Sequence, residues 1–493
     1  MTHFAARCGI HDDERERAVQ ETCRQIQASG VDLVRVSWCD LHGVQRSKAL
    51  TVPAAQAALR SGLSMVSTLM LKDSSGRTVY PVFEPGGTDG LPGFGQANNL
   101  MLLPDPASFR CLPWAPGTGW LRADPWFTDG QPVALDARRV LQRALALLHS
   151  RGMDMRCGLE VEFHIYRIAP DEAGTTDADE ASPYAGPRAL SRVHPGASLL
   201  NEAWLDQADE PLRIVQRTAQ ALGMPLLSLE AEMGPSQVEA VFDVTDALTA
   251  ADTMALFRNA TRMALRRAGY HATFMCRPPF ATIMSSGWHL HQSLVDAHDG
   301  HNLFRRDTPA SASTPSDAGH TLSALGEHYL AGLLQHALGA TVFCTPTVNG
   351  YGRFRPNALA PQSVVWGRDS RGAMLRVIGE CGDAGTRIEN RIGEPAANPY
   401  LYLASQIHSG LDGIARELKA PQATQSPYGA GARHLPASLG EALAALQADP
   451  VLTSAFGEGF IDHFVRIKDS EWRRFEQATD KDQFQRTEYF GQI

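Results

Sequence analysis

The sequence predicts an α+β fold in which a sheet gathers chemically active side chains on one face. Four short segments place acidic, imidazole or guanidinium side chains at alternate positions, with apolar residues at most positions between them. Side chains alternate between the two faces of a strand, so each segment would present its polar groups together. The four segments are 159–164, 229–232, 288–293 and 387–391.

The first part of the chain predicts a small β-containing domain. Residues 31–38 have the composition of a strand, and 81–95 are rich in Gly and Pro, as extended connections often are. We therefore expect two domains, 1–124 and 125–493.

The second domain is predicted to begin with a helix at 136–151. Asp136 can cap the N-terminus of this helix, and Gly152 can end it just before the first polar strand. Two further strands, at 227–233 and 238–244, flank a short turn and form a hairpin.

The second strand of this hairpin separates Glu239 from a row of apolar residues on the opposite face. Two stretches rich in small residues and Pro, 171–201 and 307–319, predict surface loops. Residues 438–441 form a capping box that predicts a helix near the end of the chain. The apolar row consists of Val238, Ala240, Phe242 and Val244.

Composition excludes several functional classes. The formal charge of −9 over 493 residues argues against nucleic-acid binding. No apolar run approaches the roughly 20 residues that span a bilayer, and no signal peptide is visible, so no membrane contact is expected. The eight cysteines are scattered, which indicates reduced thiols in a cytoplasmic protein.

Six side chains on the polar faces are candidate metal ligands. Five carboxylates in one cavity repel each other strongly unless cations lie among them. Oxygen ligands with one imidazole suit Mg²⁺ or Mn²⁺, and six ligands divide into two ions with three each. Glu230 shares a face with Glu232 and stays open as the alternative ligand. The six candidates are Glu160, Glu162, Glu232, Glu239, His289 and Glu389.

Five arginines in the last third of the chain complete the chemistry. Two divalent cations beside guanidinium groups are what phosphoryl transfer requires, although any single arginine is more often merely solvated. The sequence has no Walker motif, so ATP would bind without a P-loop. These arginines are Arg353, Arg371, Arg376, Arg387 and Arg391.

Taken together, these motifs resemble the glutamine synthetase superfamily over nearly the whole chain, and its γ-glutamyl-amine ligase branch in particular. Their order and spacing fit the family. The matching stretches are 158–163, 232–239, 287–293, 346–353, 387–391 and 395–401, and Arg371 and Arg376 lie between the fourth and the fifth of them.

The resemblance implies an N-terminal β-grasp domain and a catalytic domain whose antiparallel strands form a funnel flanked by helices. It implies a homo-oligomer, commonly a dodecamer of two hexameric rings, in which Asp73 reaches into the site of a neighbouring subunit. One metal ion would be held by Glu162, Glu232 and Glu239, and the other by Glu160, His289 and Glu389.

The resemblance also assigns roles around the substrates, which are glutamate, ATP and an amine. Arg353 would bind the glutamate carboxylate, and Arg371 and Arg391 would contact the phosphoryl group. The nucleotide would lie against Arg376, Arg387, His291 and Ser293. ATP would phosphorylate the γ-carboxylate of glutamate, and an amine would then displace phosphate from the γ-glutamyl phosphate.

The sequence departs from the ammonia-using enzymes of this family at the acceptor side. Leu359 stands where those enzymes have a glutamate that holds ammonium and takes its proton, and leucine can do neither. Two further departures lie elsewhere: Met284 stands where the ammonia enzymes usually have an Asn near the amino group of the acid substrate, which bears on the contacts of that substrate, and the turn Gly234-Pro235-Ser236 follows the γ-glutamyl-amine ligase branch.

The favoured function is therefore ATP-dependent ligation of glutamate to a neutral apolar or aromatic primary amine such as aniline. A γ-glutamylpolyamine or alkylamine ligase and an ammonia-using glutamine synthetase remain the alternatives, and a catalytically silent scaffold is disfavoured because all the polar residues are present.

Overall fold

The computed structural model describes residues 3–169, 184–187, 189–309, 318–355, 360–429 and 431–493. Within these ranges the chain forms two sheets with helices packed around them. None of the helices in the described ranges combines the length and apolarity that a membrane crossing requires.

The first sheet is built from the N-terminal quarter of the chain. Its strands run in the order β2-β1-β6-β4-β3, with β5 paired to β6 and with β1 parallel to β6. The elements are α1 Phe4–Arg7, α2 Asp13–Ala28, β1 Leu33–Cys39, β2 Gln45–Thr51, α3 Val52–Ser61, β3 Leu63–Val66, β4 Asn99–Pro104, β5 Arg110–Cys111 and β6 Thr118–Phe127.

The second sheet and most helices come from the rest of the chain. In the described residues the elements are α4 Ala137–His149, β7 Met153–Ile168, β8 Leu190–Arg192, α5 Glu202–Gln207, α6 Asp209–Ala221, β9 Leu226–Ala231, β10 Gln237–Asp246, α7 Ala247–Arg267, β11 Tyr270–Thr273, β12 Trp288–Asp296, α8 Ala324–Gln335, α9 Ala337–Cys344, β13 Trp366–Arg368, β14 Leu375–Ile378, β15 Arg387–Gly393, α10 Pro399–Ala415, α11 Leu439–Gln447, α12 Pro450–Phe456, α13 Glu458–Gln477 and α14 Lys481–Gln485.

The second sheet runs in the order β13-β14-β15-β12-β7-β10-β9, and β8 and β11 also pair with β7. Its pairs are antiparallel except β13 with β14. One face of the central strand β7 is apolar: Leu159, Val161 and Phe163 are buried. The Phe163 ring stacks on Phe274 with centroids 4.9 Å apart. The apolar face anchors the sheet in the core and leaves the alternate positions for polar groups.

Several local predictions are confirmed. The strand expected at 31–38 is β1, and the helix expected at 136–151 is α4, where the Asp136 carboxylate accepts a hydrogen bond from the Arg139 backbone N–H at 2.9 Å. The capping box also forms, because the Glu441 backbone N–H donates to Ser438 Oγ at 3.2 Å.

Two local predictions are wrong in part. The pairing of β10 with β7 shifts register between Phe242 and Thr245, so Val244 is exposed instead of sharing the buried face of Val238. The stretch 171–201, expected to be a loop, contains strand β8; its residues 171–183 and 188, like 310–317 of the other expected loop, lie outside the described residues.

Strand β6 runs through the expected domain boundary. Residue 124 lies inside this strand, and its backbone pairs with β4 as far as Phe127. The Arg138 guanidinium on α4 lies within 3.3 Å of Asp124 and 2.9 Å of Asp252, so ion pairs join the two parts of the chain.

Candidate active site

The polar face of the second sheet brings the sequence-predicted ligands together because of strand register. Glu160 and Glu162 occupy alternate positions of β7. His289 on β12 lies opposite Glu160, and Glu239 on β10 lies opposite Glu162. Three adjacent strands therefore place four of these side chains on one patch of the sheet.

His289 lies at the centre of this patch. Its Nδ1 atom is 3.3 Å from Glu160 Oε2 and 3.9 Å from both Glu239 Oε1 and Glu389 Oε1. Its Nε2 atom is 3.9 Å from Glu162 Oε1. One imidazole therefore lies within 3.9 Å of four of the predicted carboxylate ligands.

Two sets of three donor atoms form around His289. In each set the donor atoms all lie within 4.8 Å of one another, which is close enough for one metal ion. The two sets share His289, so two cations bound here would be neighbours. One set is Glu160, His289 and Glu389, and the other is Glu162, Glu239 and His289.

Glu232 and Glu230 lie beside these sets and not within them. Glu232 follows β9, and its carboxylate accepts a hydrogen bond from the Met233 backbone N–H at 3.1 Å. Glu230 is directly opposite Glu239 in the β9–β10 register and accepts a hydrogen bond from Ser228 at 2.8 Å. Both carboxylates border the cluster, so the alternative between them stays open.

Crowded carboxylates raise each other's pKa in one half of the site. Burial, reinforced by Glu232, raises the pKa of Glu162 to about 7. Burial, reinforced by Glu162 and Glu160, raises the pKa of Glu239 to about 10.

Two buried polar atoms of the same cluster lack a hydrogen-bond partner among the described residues, which leaves them free to coordinate a cation. In the described part of the chain, Glu239 Oε1 and His289 Nε2 are buried without a hydrogen-bond partner. Burial lowers the pKa of His289 to about 4, so its imidazole is neutral and able to coordinate. Oxygen donors with one neutral imidazole fit Mg²⁺ or Mn²⁺.

Glu162 is held by two groups that sequence reasoning missed. Its Oε2 atom accepts hydrogen bonds from Gln237 Nε2 at 3.0 Å and from the Gly287 backbone N–H at 2.7 Å. The Gln237 amide is itself oriented by the Gly234 N–H, which donates to Gln237 Oε1 at 2.9 Å. Gln237 lies two positions before Glu239 on the same strand face, and this spacing was the available signal.

His291 and Arg387 orient Glu160. His291 Nε2 lies 2.9 Å from Glu160 Oε1, and Arg387 Nε donates to His291 Nδ1 at 3.0 Å. Because an arginine can only donate, His291 Nδ1 accepts this hydrogen bond and its Nε2 carries the proton, although the contact of Nε2 with Glu160 lacks hydrogen-bond geometry. Burial would raise the pKa of Glu160, but its contacts with His289 and His291 outweigh burial and lower the pKa. Ser293, two positions further on β12, is half-buried.

Arginines surround the other end of the cluster. The fully buried Glu389 binds Arg391 and accepts a hydrogen bond from Arg376 Nη1 at 3.0 Å. Arg353 is buried, and its Nη1 donates to the Arg391 backbone oxygen at 2.7 Å. A side chain on Gly287 would collide with the Arg353 guanidinium, so glycine is required there.

The remaining predicted residues stand apart. Arg371 is exposed in the turn before β14, and Leu359 lies outside the described residues. Asp73 is fully buried, and its carboxylate is held by Ser75, Arg474 and Ser470 of its own chain. It is therefore not free to extend toward another subunit in this arrangement.

Comparison with known proteins places this constellation in a family. Residues 134–487 match the family model "Glutamine synthetase, catalytic domain". The chain is 38% identical to a gamma-glutamylanilide synthase from Acinetobacter sp over 99% of this chain and 98% of the relative. It is 28% identical to a gamma-glutamylethanolamide synthetase from Streptomyces coelicolor over 93% of each.

A solved structure shows the same fold. The chain superposes on a GmaS/ADP complex with a TM-score of 0.73 and 27% identity, covering 93% of this chain and 97% of that one.

Proposed function

The chain belongs to the glutamine synthetase family of ATP-dependent ligases, and we propose that it joins the γ-carboxylate of glutamate to an organic amine. The proposed phosphoryl transfer to glutamate rests on one observation, the pair of three-donor sets around His289. Arg353, Arg376 and Arg391 flank these sets. Two sets of anionic donors beside fixed guanidinium groups suit phosphoryl transfer.

We assign the metal ligands as follows. One divalent cation, Mg²⁺ or Mn²⁺, would be held by Glu162, Glu232 and Glu239, and a second by Glu160, His289 and Glu389. When bound, such ions polarise phosphate oxygens and neutralise charge that develops during transfer. The protein's own contribution is orientation, because Gln237 and Gly287 fix Glu162.

The arginines would act on substrate anions. Arg353, fixed by the Arg391 carbonyl, would bind the carboxylate of glutamate, and Arg391 with Arg371 would contact the transferring phosphoryl group. Arg376, Arg387, His291 and Ser293 would face the nucleotide. Arg376 and Arg391 both bind Glu389, so their guanidinium groups are held next to the proposed ligand of the second ion.

The proposed reaction has two steps. A γ-carboxylate oxygen of glutamate attacks the γ-phosphorus of ATP, which gives γ-glutamyl phosphate and ADP. The amine nitrogen then attacks the acyl carbon, phosphate leaves with the bridging oxygen, and the nitrogen loses one proton. An aromatic amine is uncharged near pH 7, so it needs no base before attack.

The acceptor side supports an apolar amine. Leu359 offers no charge for ammonium, and each methylene that an apolar acceptor buries contributes about 0.8 kcal/mol. The full-length similarity to a gamma-glutamylanilide synthase agrees with this preference.

A short alkylamine is the second candidate acceptor, because of the similarity to a gamma-glutamylethanolamide synthetase. A polyamine acceptor would need a carboxylate on the acceptor side. We assign no such carboxylate among the described residues.

The test is ATP turnover by the purified protein with glutamate and a panel of amines. We expect kcat/KM for aniline to exceed that for ethanolamine, spermidine and ammonium. Faster turnover with ammonium than with every organic amine would refute the proposal. Leu359→Glu should raise kcat/KM for ammonium and lower that for aniline by about tenfold, whereas Leu359→Ile should leave the order of preference unchanged.

We also propose a finer architecture. The β-grasp domain expected at 1–124, extended here to the end of β6 at Phe127, would be supported by the parallel pairing of β1 with β6. The second sheet would form a funnel within a dodecamer of two hexameric rings, as in related enzymes. Light scattering that gave a monomer mass would contradict this assembly.

A further inference from the structure

A second cleft lies beside the turn that carries Arg353. It has a volume of about 520 Å³. Its lining comes from the segment 275–283, from Val348, Asn349, Gly352 and Arg355, and from Asp482 and Gln485 of α14. Neither Arg353 nor any of the donors around His289 lines this cleft. It is therefore separate from the site described above.

Two arginines face the same end of the cleft. Arg277 and Arg355 converge on Gly352: a Cβ at Gly352 would lie 2.9 Å from Arg277 Cδ and 3.9 Å from Arg355 Nη2. Arg277 donates one hydrogen bond to Ser285 Oγ at 2.5 Å. Burial and the charge of Arg355 both lower the pKa of Arg277. The pair is thus suited to bind a carboxylate through several N–H groups.

These two positive charges lack an acidic partner of their own. In the described ranges no carboxylate lies within ion-pair distance of Arg277 or Arg355. Asp482, at the first turn of α14, also lines the cleft and is exposed. The cleft therefore presents two positive charges and one separate negative charge.

Apolar residues form part of the remaining wall, together with the polar Asn349 and Gln485. The Phe280 ring packs against Tyr166 and Phe490, with centroid distances of 4.9 Å and 5.7 Å. Asn349 Nδ2 donates to Gln485 Oε1 at 2.7 Å, which ties the turn before Arg353 to α14. The apolar lining residues are Met275, Pro278, Pro279, Phe280, Ile283 and Val348.

We propose that this cleft binds an α-amino acid with an apolar side chain. The carboxylate would bind Arg277 and Arg355, the ammonium group would face Asp482, and the side chain would lie against Phe280 and Ile283. This goes beyond the proposed function, because it uses no metal ligand and no group assigned to turnover.

The position of the cleft gives such binding a consequence for the catalytic site. The segment of Arg277 continues through Ser285 to Gly287, whose N–H holds Glu162. The other wall continues from Gly352 directly into Arg353. A γ-glutamyl aryl amide, the product if the proposed function holds, is itself an α-amino acid with an apolar end. Product feedback through this cleft would follow from both proposals together.

Calorimetry with L-phenylalanine tests the site without any turnover. The full-length protein is first saturated with glutamate, ADP and Mn²⁺, so that the catalytic site is occupied. We expect L-phenylalanine to bind under these conditions, 3-phenylpropionate to bind more weakly, and phenethylamine, which lacks the carboxylate, not to bind.

Variants assign the binding to named groups. Arg355→Ala should raise the Kd for L-phenylalanine at least about tenfold, and Asp482→Asn should weaken L-phenylalanine but not 3-phenylpropionate. Arg24→Ala, at an exposed arginine on α2, serves as the matched control and should change nothing. Absence of binding up to about 10 mM, displacement by glutamate, or an unchanged Kd in Arg355→Ala would overturn the proposal. Because ligase activity is not measured, such a failure leaves the proposed function intact.

Discussion

The two donor sets around His289 stabilise buried charge in opposite ways. The Glu389 half consists of Glu160, His289 and Glu389, and the Glu239 half of Glu162, Glu239 and His289. Glu389 is fully buried but binds Arg376 and Arg391. Burial would raise its pKa, yet cationic neighbours, among them Arg391, hold that pKa below its ordinary value. Glu239 is also buried, and burial together with Glu162 raises its pKa to about 10.

The difference shows which half depends on a cation from outside. The Glu389 half is charged and ordered by its own arginines, so the protein alone stabilises it. In the Glu239 half, burial and the facing carboxylates raise the pKa of Glu162 and Glu239, so ionisation there costs free energy unless a cation is bound. A divalent ion would convert the second half into the charged state that the first already has.

The largest expected effect is on activity at the half that contains Glu239. Glu239→Gln should reduce ligase turnover by about 1,000-fold, since it removes a proposed ligand. The same change should raise the melting temperature of the metal-free protein near pH 8, because it removes a carboxylate that resists ionisation. A lower melting temperature would contradict the account. Glu230→Gln and Glu232→Gln, made in parallel, identify which of the two is the ligand by which one loses comparable activity.

The matched change in the other half should act in the opposite direction on stability. Glu389→Gln leaves Arg376 and Arg391 without their buried partner, and breaking such a pair costs about 3 kcal/mol. Denaturant unfolding of the metal-free protein measures this loss. If Glu389→Gln and Glu239→Gln shifted stability in the same direction, the contrast between the halves would not exist.

A smaller effect is expected at Gln237. Gln237→Leu removes the amide that holds Glu162, and loss of such an outer contact weakens metal binding by about 10- to 100-fold. Titration with Mn²⁺ measures the change. Ser286→Ala removes a neighbouring hydroxyl that lies 3.1 Å from Gln237 Nε2 and should change affinity less than about threefold. Equal effects in the two variants would argue against a specific role for the amide.

The smallest effect is a pH dependence of metal-free stability. Glu162 and Glu239 have folded pKa values of about 7 and about 10, above the 4.5 of an ordinary glutamate. The folded state therefore binds more protons than the unfolded chain within this window, so stability is full below pH 4.5 and falls as pH rises through 7 and toward 10.

Bound metal should remove this loss. The difference in melting temperature between Mn²⁺-saturated and EDTA-treated protein should grow from pH 6 to pH 9 by about 4 °C. Glu160 and Glu389, whose pKa values are lowered, do not titrate in that range. A constant difference across the range would show that the acidic half is not protonated.

Much of this arrangement follows from sequence periodicity. Alternation on β7, β10, β12 and β15 was sufficient to group the carboxylates, His289 and Arg391, because each strand has one apolar face fixed in the core. The helix caps at Asp136 and Ser438 were equally predictable, since their signals are local.

Features that depend on pairing between strands were not predictable. The bulge that exposes Val244 arises from the register of β10 against β7, and no local signal marks it. The choice between Glu230 and Glu232 depends on where β9 ends. Gln237 was not predictable as a site residue because a neutral amide carries no ligand signal beside five carboxylates.

The most direct test of the central claim is the number of Mn²⁺ ions bound by each chain. Equilibrium dialysis should find two ions per wild-type chain and one per Glu239→Gln chain, because the arginine-supported set of Glu160, His289 and Glu389 is unchanged. Two ions retained by the variant, or none bound by either protein, would contradict a paired centre with one half dependent on Glu239.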